Sequence, residues 1–458
     1  MIPLKASDIA GVLQAKLLGD DVEIHSVSTD SRQINAGDLF IALQGPNFDG
    51  HQFAAEVVNK GARALVVTRH LDVPVPQLIV ADTRLALGQL GAYVKSRLKL
   101  KTVAVTGSAG KTTVKEMMAA ILSRIGHVLA TAGNFNNDIG VPLTLLRLTP
   151  EHNFAVIELG ANHLGEIAYT TSLVKPDVAL ITNVAAAHLE GFGDLFGVAR
   201  AKGEIYTGLP DNGVAIVPLD SEFHSYWQQR LDNLRLQTFS LTQQADFHAG
   251  NIALDSNGCA GFDMHTPYGQ VFVQLAVPGR HNVSNALAAA AATLALGASL
   301  TDVQLGLAAM QPVKGRINVH MPTKQLRIID DTYNANVESA KAAIDLLASY
   351  AGQRILVLGD MAELGPDARA YHEEVGVYAK KAALDGLFTL GVLSQNASDQ
   401  FPQHSAHFSS RSQLVSRLQP YVQAGREVTI LVKGSRSAKM ELVVSDLLES
   451  SQQESKPC

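Results

Sequence analysis

The stretch Thr106-Gly107-Ser108-Ala109-Gly110-Lys111-Thr112-Thr113 constrains this chain more tightly than any other. It follows an apolar β-branched run, Thr102-Val103-Ala104-Val105, and opens a helix-compatible segment at 114–122. Strand, glycine turn and helix N-terminus in that order make an anion cradle: backbone N–H groups point at phosphate oxygens, and the helix dipole favours their charge. Lys111 can reach terminal phosphates and the Thr112 hydroxyl can sit on Mg²⁺, so the pattern predicts a nucleoside triphosphate site. The spacing departs from the usual G-x-x-x-x-G-K. Position 105 is Val, and only Ser108 and Ala109 separate Gly107 from Gly110.

At 458 residues the chain is long enough for three domains. A net charge of −6 argues against a general nucleic-acid or anionic-membrane binder. An anionic nucleotide must therefore be held locally, by Lys, Arg, metal and helix ends. The two cysteines, Cys259 and Cys458, make neither a metal-ligand pattern nor a disulfide framework, which fits a reducing cytosol and a cytoplasmic protein. No signal-peptide core follows Met1. The most apolar run, 285–299, is alanine-rich, too short to span a bilayer, and reads as a buried helix.

The pattern divides the chain into blocks at 1–82, 83–313 and 314–458. The first holds short strand-like runs at 39–43 and 64–67, and 83–98 reads as a helix leading into the second. From Thr102 the second block alternates strand and helix, with strands at 154–158, 178–182 and 214–217. That alternation implies a parallel sheet with helices on both faces. From 247 to 277 the pattern turns β-rich with Gly and Asn turns and reads as an antiparallel insertion. The third block has strands at 326–330, 354–358, 386–390 and 428–432. The fold class is thus α/β in three domains, with a central P-loop-type parallel sheet and a C-terminal Rossmann-like domain. Asp331, Asp360 and Lys433 stand at strand ends of the last domain, where such folds bind ligands. The tail at 450–455 reads as frayed.

Several residues carry candidate chemistry. Glu158 closes an apolar strand on the same sheet as the loop; position alone leaves a Mg²⁺ ligand and a water-facing acid equally open. His188 lies just past another strand end, as a metal ligand or a surface residue. Lys202 lies in Val198-Ala199-Arg200-Ala201-Lys202-Gly203, where composition favours an exposed lysine. Arg280-His281-Asn282 precedes the alanine-rich helix. Arg316 opens the third block, suited to a phosphate or to developing negative charge, or else an exposed hinge residue. Asp331-Thr332-Tyr333-Asn334-Ala335-Asn336 is either a helix cap or a pair of amides facing a peptide-like ligand. Lys433-Gly434-Ser435-Arg436 is a second basic turn, suited to a carboxylate or phosphate or to a plain N-cap.

Taken together these residues resemble the Mur ligases, the ATP-dependent amide-forming enzymes of peptidoglycan synthesis, over essentially the whole chain. The shortened Gly107-x-x-Gly110-Lys111-Thr112-Thr113 loop is typical of that family. Glu158, His188, Lys202, Asn282, Arg316 and Asp331 fall in its order and local context. The resemblance extends to the branch that adds D-alanyl-D-alanine to UDP-N-acetylmuramoyl-tripeptide. It is carried by Gly133-Asn134-Phe135-Asn136-Asn137-Asp138-Ile139-Gly140, Ile157-Glu158-Leu159-Gly160-Ala161-Asn162-His163, Tyr333-Asn334-Ala335-Asn336, Gly359-Asp360-Met361-Ala362-Glu363 and Lys433-Gly434-Ser435-Arg436-Ser437.

The resemblance implies ATP and Mg²⁺ as cofactors. ATP is expected at Gly107, Ser108, Ala109, Gly110, Lys111, Thr112, Thr113, Asn282, Arg316 and Asp331. The metal is expected at Thr112, Glu158, His188 and a carbamylated Lys202. Lys111, Lys202, His188 and Arg316 carry the catalytic expectation. Substrate contacts are expected from Ser31 and Arg32 for the UDP end, from Asn134, Asn137 and Asp138, and from Asn334, Asn336, Lys433, Ser435 and Arg436. Carbamylation needs the neutral amine, so a depressed lysine pKa would assist it. The resemblance carries no nucleic-acid partner and no membrane span, and a monomer is expected. Two rivals fare worse. Folylpolyglutamate synthase shares the core but lacks a uridine-binding first block, against which Asp30-Ser31-Arg32 counts. A GTPase would need the absent Asn-Lys-x-Asp motif.

Overall fold

A computed structural model describes residues 1–186, 189–401 and 404–453. Its centre is a nine-stranded sheet in the order Val128–Ala130, Phe154–Glu158, Lys101–Thr106, Val178–Ile181, Val214–Pro218, Arg235–Ser240, Phe247–Leu254, Cys259–Thr266, Gly269–Pro278. The first seven strands pair in parallel and the last two run antiparallel. The β-rich stretch after 247 is therefore not a separate insertion. Its first strand pairs in parallel with Arg235–Ser240 through Phe239 and Ser240, so the hairpins extend the same sheet.

Strand alternation sends neighbouring side chains to opposite faces. Val103, Val105, Val156 and Leu180 pack with helices Lys111–Leu122 and His281–Ala295 on one face. Ala104, Ile157 and Ile181 face the other, where the core continues without a break into the N-terminal unit. That unit is built on a five-stranded sheet, Lys16–Leu18, Gln77–Ile79, Ala64–Val67, Asp38–Ile41 and Ser26–Ser28. Helix Thr83–Ser96, capped by Asp82, packs against Gly140–Leu145 of the central unit. The alanine-rich run forms the buried helix His281–Ala295.

The third unit is a six-stranded sheet in the order Asn318–His320, Leu326–Asp331, Val428–Lys433, Gln353–Gly359, Gly386–Leu390, Ser405–Phe408. Only the first strand is antiparallel. Strand Val428–Lys433 sits between two earlier strands, a topological switch that opens a crevice at its carboxyl end. The register there sets Asp331 opposite Lys433. At the C-terminus, helix Glu441–Gln453 runs through the first part of the segment read as frayed.

Candidate nucleotide site and active centre

The loop after Lys101–Thr106 turns on two glycines at positive φ, 150° at Gly107 and 79° at Gly110. A Cβ at Gly107 would run into Thr182 Oγ1, and one at Gly110 would lie 2.5 Å from Asn285 Oδ1. Only glycine lets the backbone pass this close to the next strand end and to the helix beyond it. Three residues after Val178–Ile181 then pin the loop. Ser108 N donates to the Asn183 carbonyl (3.1 Å) and Ala109 N to Asn183 Oδ1 (2.8 Å). Thr182 Oγ1 donates to the Ala109 carbonyl (2.6 Å), and Ser108 Oγ bonds both the carbonyl and the N–H of Ala185 (3.1 and 3.0 Å). Thr182 and Asn183 escape sequence reasoning because their role arises only when the strands lie side by side. Lys111 Nζ folds back onto the Gly107 carbonyl (2.7 Å). Burial lowers its pKa, opposed by the charge of Glu158 and reinforced by that of Arg316.

The strand register places Glu158 opposite Val105, one residue before the loop. Glu158 is 2% exposed, so it is not a water-facing acid. Its Oε2 accepts from Thr112 Oγ1 (2.9 Å) and its Oε1 from Asn136 Nδ2 (2.9 Å). Arg316, from the third unit, donates through Nη2 to the same Thr112 hydroxyl (3.1 Å) and lies 4.5 Å above the Tyr333 ring. Its Nε is buried with no partner among the described residues, a donor left for a ligand. No group of three His, Cys, Asp or Glu among the described residues could hold a metal alone. A hydroxyl and one carboxylate still suit Mg²⁺, which keeps several waters and binds substrate phosphates through the rest of its octahedron.

Lys202 stands near the end of helix Leu195–Gly203 and is 1% exposed, which corrects the exposed lysine that composition favours. Burial pushes its pKa down to about 7. The charge of Lys111 acts in the same sense, and Glu166, Glu204 and Glu158 oppose it. The helix docks into the core through Val198, Ala199 and Ala201, and that docking carries the lysine inward. His188 lies outside the described residues.

The central and third units enclose a cavity of about 460 Å³. Besides the loop, it is lined by Asn282, Arg316, Asp331, Asn334, Asn336 and Lys433. Lys433 donates to Asp331 Oδ2 (2.5 Å) and to the Asn334 carbonyl (3.0 Å). Burial raises the Asp331 carboxyl, and the charges of Lys433 and Arg316 draw it back. Asn336 is the N-cap of helix Val337–Ala348, in a reciprocal box with Ser339, and its amide also reaches the Ser108 carbonyl (3.4 Å). Cap and ligand-facing amide are here one residue.

Three family models match in succession: "Mur ligase family, catalytic domain" over residues 23–125, "Mur ligase middle domain" over 105–293 and "Mur ligase, glutamate ligase domain" over 315–436. The chain belongs to the Mur ligase family. The UDP-N-acetylmuramoyl-tripeptide–D-alanyl-D-alanine ligase of Escherichia coli (strain K12) is 50% identical over 452 residues, covering 98% of this chain and 99% of the relative. Among solved structures, MurF from Acinetobacter baumannii superposes with a TM-score of 0.94 at 41% identity, covering 98% of this chain and 99% of that one. MurF ligase from Thermotoga maritima in complex with ADP gives 0.85 at 26% identity, covering 94% and 99%.

Other expected contacts of this Mur ligase lie apart from the cavity. Ser435 is buried and donates to the Asp360 carbonyl (2.7 Å), while Arg436 pairs with Glu441 (3.1 Å). Asp138 takes both arms of Arg84, which ties helix Thr83–Ser96 to the 133–140 loop. Asn137 Oδ1 accepts from Gly140 N (2.8 Å), and Asn134 is exposed. Asn136, between them, reaches the site instead, a choice that the motif alone does not make. Ser31 and Arg32 belong to the N-terminal unit. Arg32 pairs with Asp30 (2.8 Å), whose carboxyl that guanidinium holds down at about 2, and Lys60 donates to the Ser31 carbonyl (2.9 Å).

No helix among the described residues is long and apolar enough to cross a membrane.

Proposed function

We propose that this Mur ligase joins D-alanyl-D-alanine to UDP-N-acetylmuramoyl-tripeptide, with ATP converted to ADP and phosphate, and gives the pentapeptide precursor of peptidoglycan. The observation that carries this reading is the 50% identity to such a ligase across 98% of the chain. The cavity supplies the physical reason that the chemistry belongs here: a phosphate loop, two cationic side chains and a buried carboxylate meet between two units.

A carboxylate is a poor acyl donor. Transfer of the γ-phosphoryl group of ATP to the tripeptide carboxylate forms an acyl phosphate and releases ADP. The dipeptide amine, having lost a proton, attacks the acyl carbon; the tetrahedral adduct collapses, the C–O bond to phosphate breaks and inorganic phosphate leaves. Two anions must first approach each other. Lys111 is poised to leave the Gly107 carbonyl for a phosphate oxygen, and Arg316 brings a spare Nε–H to the same place. Thr112 and Glu158 are the residues to hold Mg²⁺, with His188 as a further ligand. When bound, the ion neutralises phosphate charge. Lys202, its amine lowered to about 7 and so about half neutral near neutral pH, is suited to carbamylation, which would replace a cation by an anion able to help hold the metal.

Residues 1–82 bind the UDP end, 83–313 bind ATP, and 314–458 close over the site and present the dipeptide. The enzyme works as a cytoplasmic monomer. The test is ADP release by purified protein with the UDP-muramoyl tripeptide, with and without D-alanyl-D-alanine. Turnover should depend on the dipeptide; turnover indifferent to it sinks the assignment.

A further inference from the structure

Helix Val337–Ala348 touches the central unit at both ends. At its start, Asn336 reaches the phosphate loop at Ser108. Twelve residues of helix span about 18 Å, and just beyond its end stands Tyr350. This tyrosine is 6% exposed and carries the Arg327 guanidinium 4.1 Å from its ring. Its hydroxyl donates to the Asn257 carbonyl (2.7 Å), at the tip of the hairpin that joins Phe247–Leu254 to Cys259–Thr266.

The tip is stiff. Asp255 Oδ1 accepts from the N–H groups of Asn257 (2.8 Å) and Cys259 (2.9 Å). Gly258 has φ +77°, and a Cβ there would lie 2.7 Å from Leu346 Cδ1 and 3.0 Å from Tyr350 Oη. The third unit is therefore seated directly on the hairpin backbone. From the tip, hydrogen bonds lead back to the cavity. The Gly258 carbonyl accepts from Gly279 N (2.8 Å), and the Gly279 carbonyl accepts from Asn282 N (3.0 Å). Asn282 is 3% exposed and lines the cavity together with Asp331 and Arg316.

We propose that Tyr350 is a positioning residue for nucleotide binding. Its hydroxyl pins the third unit to the 255–258 tip, and the tip holds Asn282 at the cavity wall. Helix Val337–Ala348 then acts as a strut with one foot on the phosphate loop and the other on the tip. The proposal rests on the reading of the cavity as the ATP site. It is distinct from catalysis, because Tyr350 touches none of the reacting groups.

The experiment measures ADP affinity by isothermal titration calorimetry, and steady-state kinetics, for the wild type, Tyr350→Phe and Gly258→Ala. Loss of one such hydrogen bond should weaken ADP binding and raise the KM for ATP by about three- to tenfold. The kcat at saturating ATP and the KM for the UDP-linked substrate should stay within about twofold. Gly258→Ala should act in the same direction and more strongly, because it both strains the turn and pushes the third unit away. Wild-type ADP affinity in both variants overturns the proposal, as does an equal loss across kcat and every KM. A wild type that does not bind ADP removes the cavity reading itself, and the proposal with it.

Discussion

Replacing Lys202 with Met keeps most of the aliphatic stem and removes the amine. In the folded chain burial brings that amine down to about 7 from its ordinary 10.5. At about 1.36 kcal/mol for each pH unit, the gap corresponds to a burial cost on the order of 5 kcal/mol. The sign follows from proton counts. Below about pH 7 both folded and unfolded chains carry the proton, and the folded state bears the full cost. Between about 7 and 10.5 only the unfolded chain keeps it, so the cost falls by about 1.4 kcal/mol per unit; above that it vanishes. Lys202→Met should therefore be inactive yet more stable than the wild type. The excess should be largest near about pH 6 and should shrink steadily toward about pH 10. Urea unfolding of both proteins in carbon dioxide-free buffer measures the difference directly. Added bicarbonate should stabilise the wild type by mass action and leave the Met variant unchanged. A stability difference that is flat across this range would refute the reasoning, since a solvated ammonium has no cost to lose.

Lys111→Ala should lower ligase activity by about a thousandfold while unfolding free energy changes by less than about 1 kcal/mol, because the side chain makes a single bond to its own loop; equal losses in both would mark it as structural. Glu158→Gln should raise the Mg²⁺ concentration for half-maximal activity by about ten- to a hundredfold, with the melting temperature as control; an unchanged Mg²⁺ dependence removes this carboxylate from the metal site. Burial pushes the Cys259 thiol up to about 11, so iodoacetamide at mildly alkaline pH should modify it only after unfolding. Peptide mass spectrometry checks this, and rapid labelling of the native protein would contradict it.

The phosphate loop and the two parallel sheets were legible because their signals are local: a β-branched run, a glycine turn, then helical periodicity. Glu158, Asp331 and Lys433 could be singled out because a strand end in a parallel sheet points into the crevice, whatever lies around it. Lys202 could not. Its burial is decided by how helix Leu195–Gly203 docks, and its own neighbours in sequence say only that a lysine follows an alanine. Asn136, Thr182 and Asn183 are equally long-range, each finding its partner across strands. Arg436 was selected by a basic turn, and its pairing with the nearby Glu441 is not visible in that signal. The strands from 247 onward were visible as hairpins, but their attachment to Arg235–Ser240 rests on two residues of pairing that no periodicity encodes.

The resting loop leaves little idle. Lys111 lies on the Gly107 carbonyl, and the Thr112 hydroxyl is engaged by Glu158 on one side and Arg316 on the other. A nucleotide entering such a site exchanges existing hydrogen bonds for new ones, so the heat of binding will be smaller than a count of final contacts suggests. The same exchange gives the loop a gatekeeping property. A ligand with too few phosphate oxygens to replace what Lys111, Thr112 and Arg316 already have gains nothing by opening them, and discrimination between nucleotide and stray anion begins before any base is read.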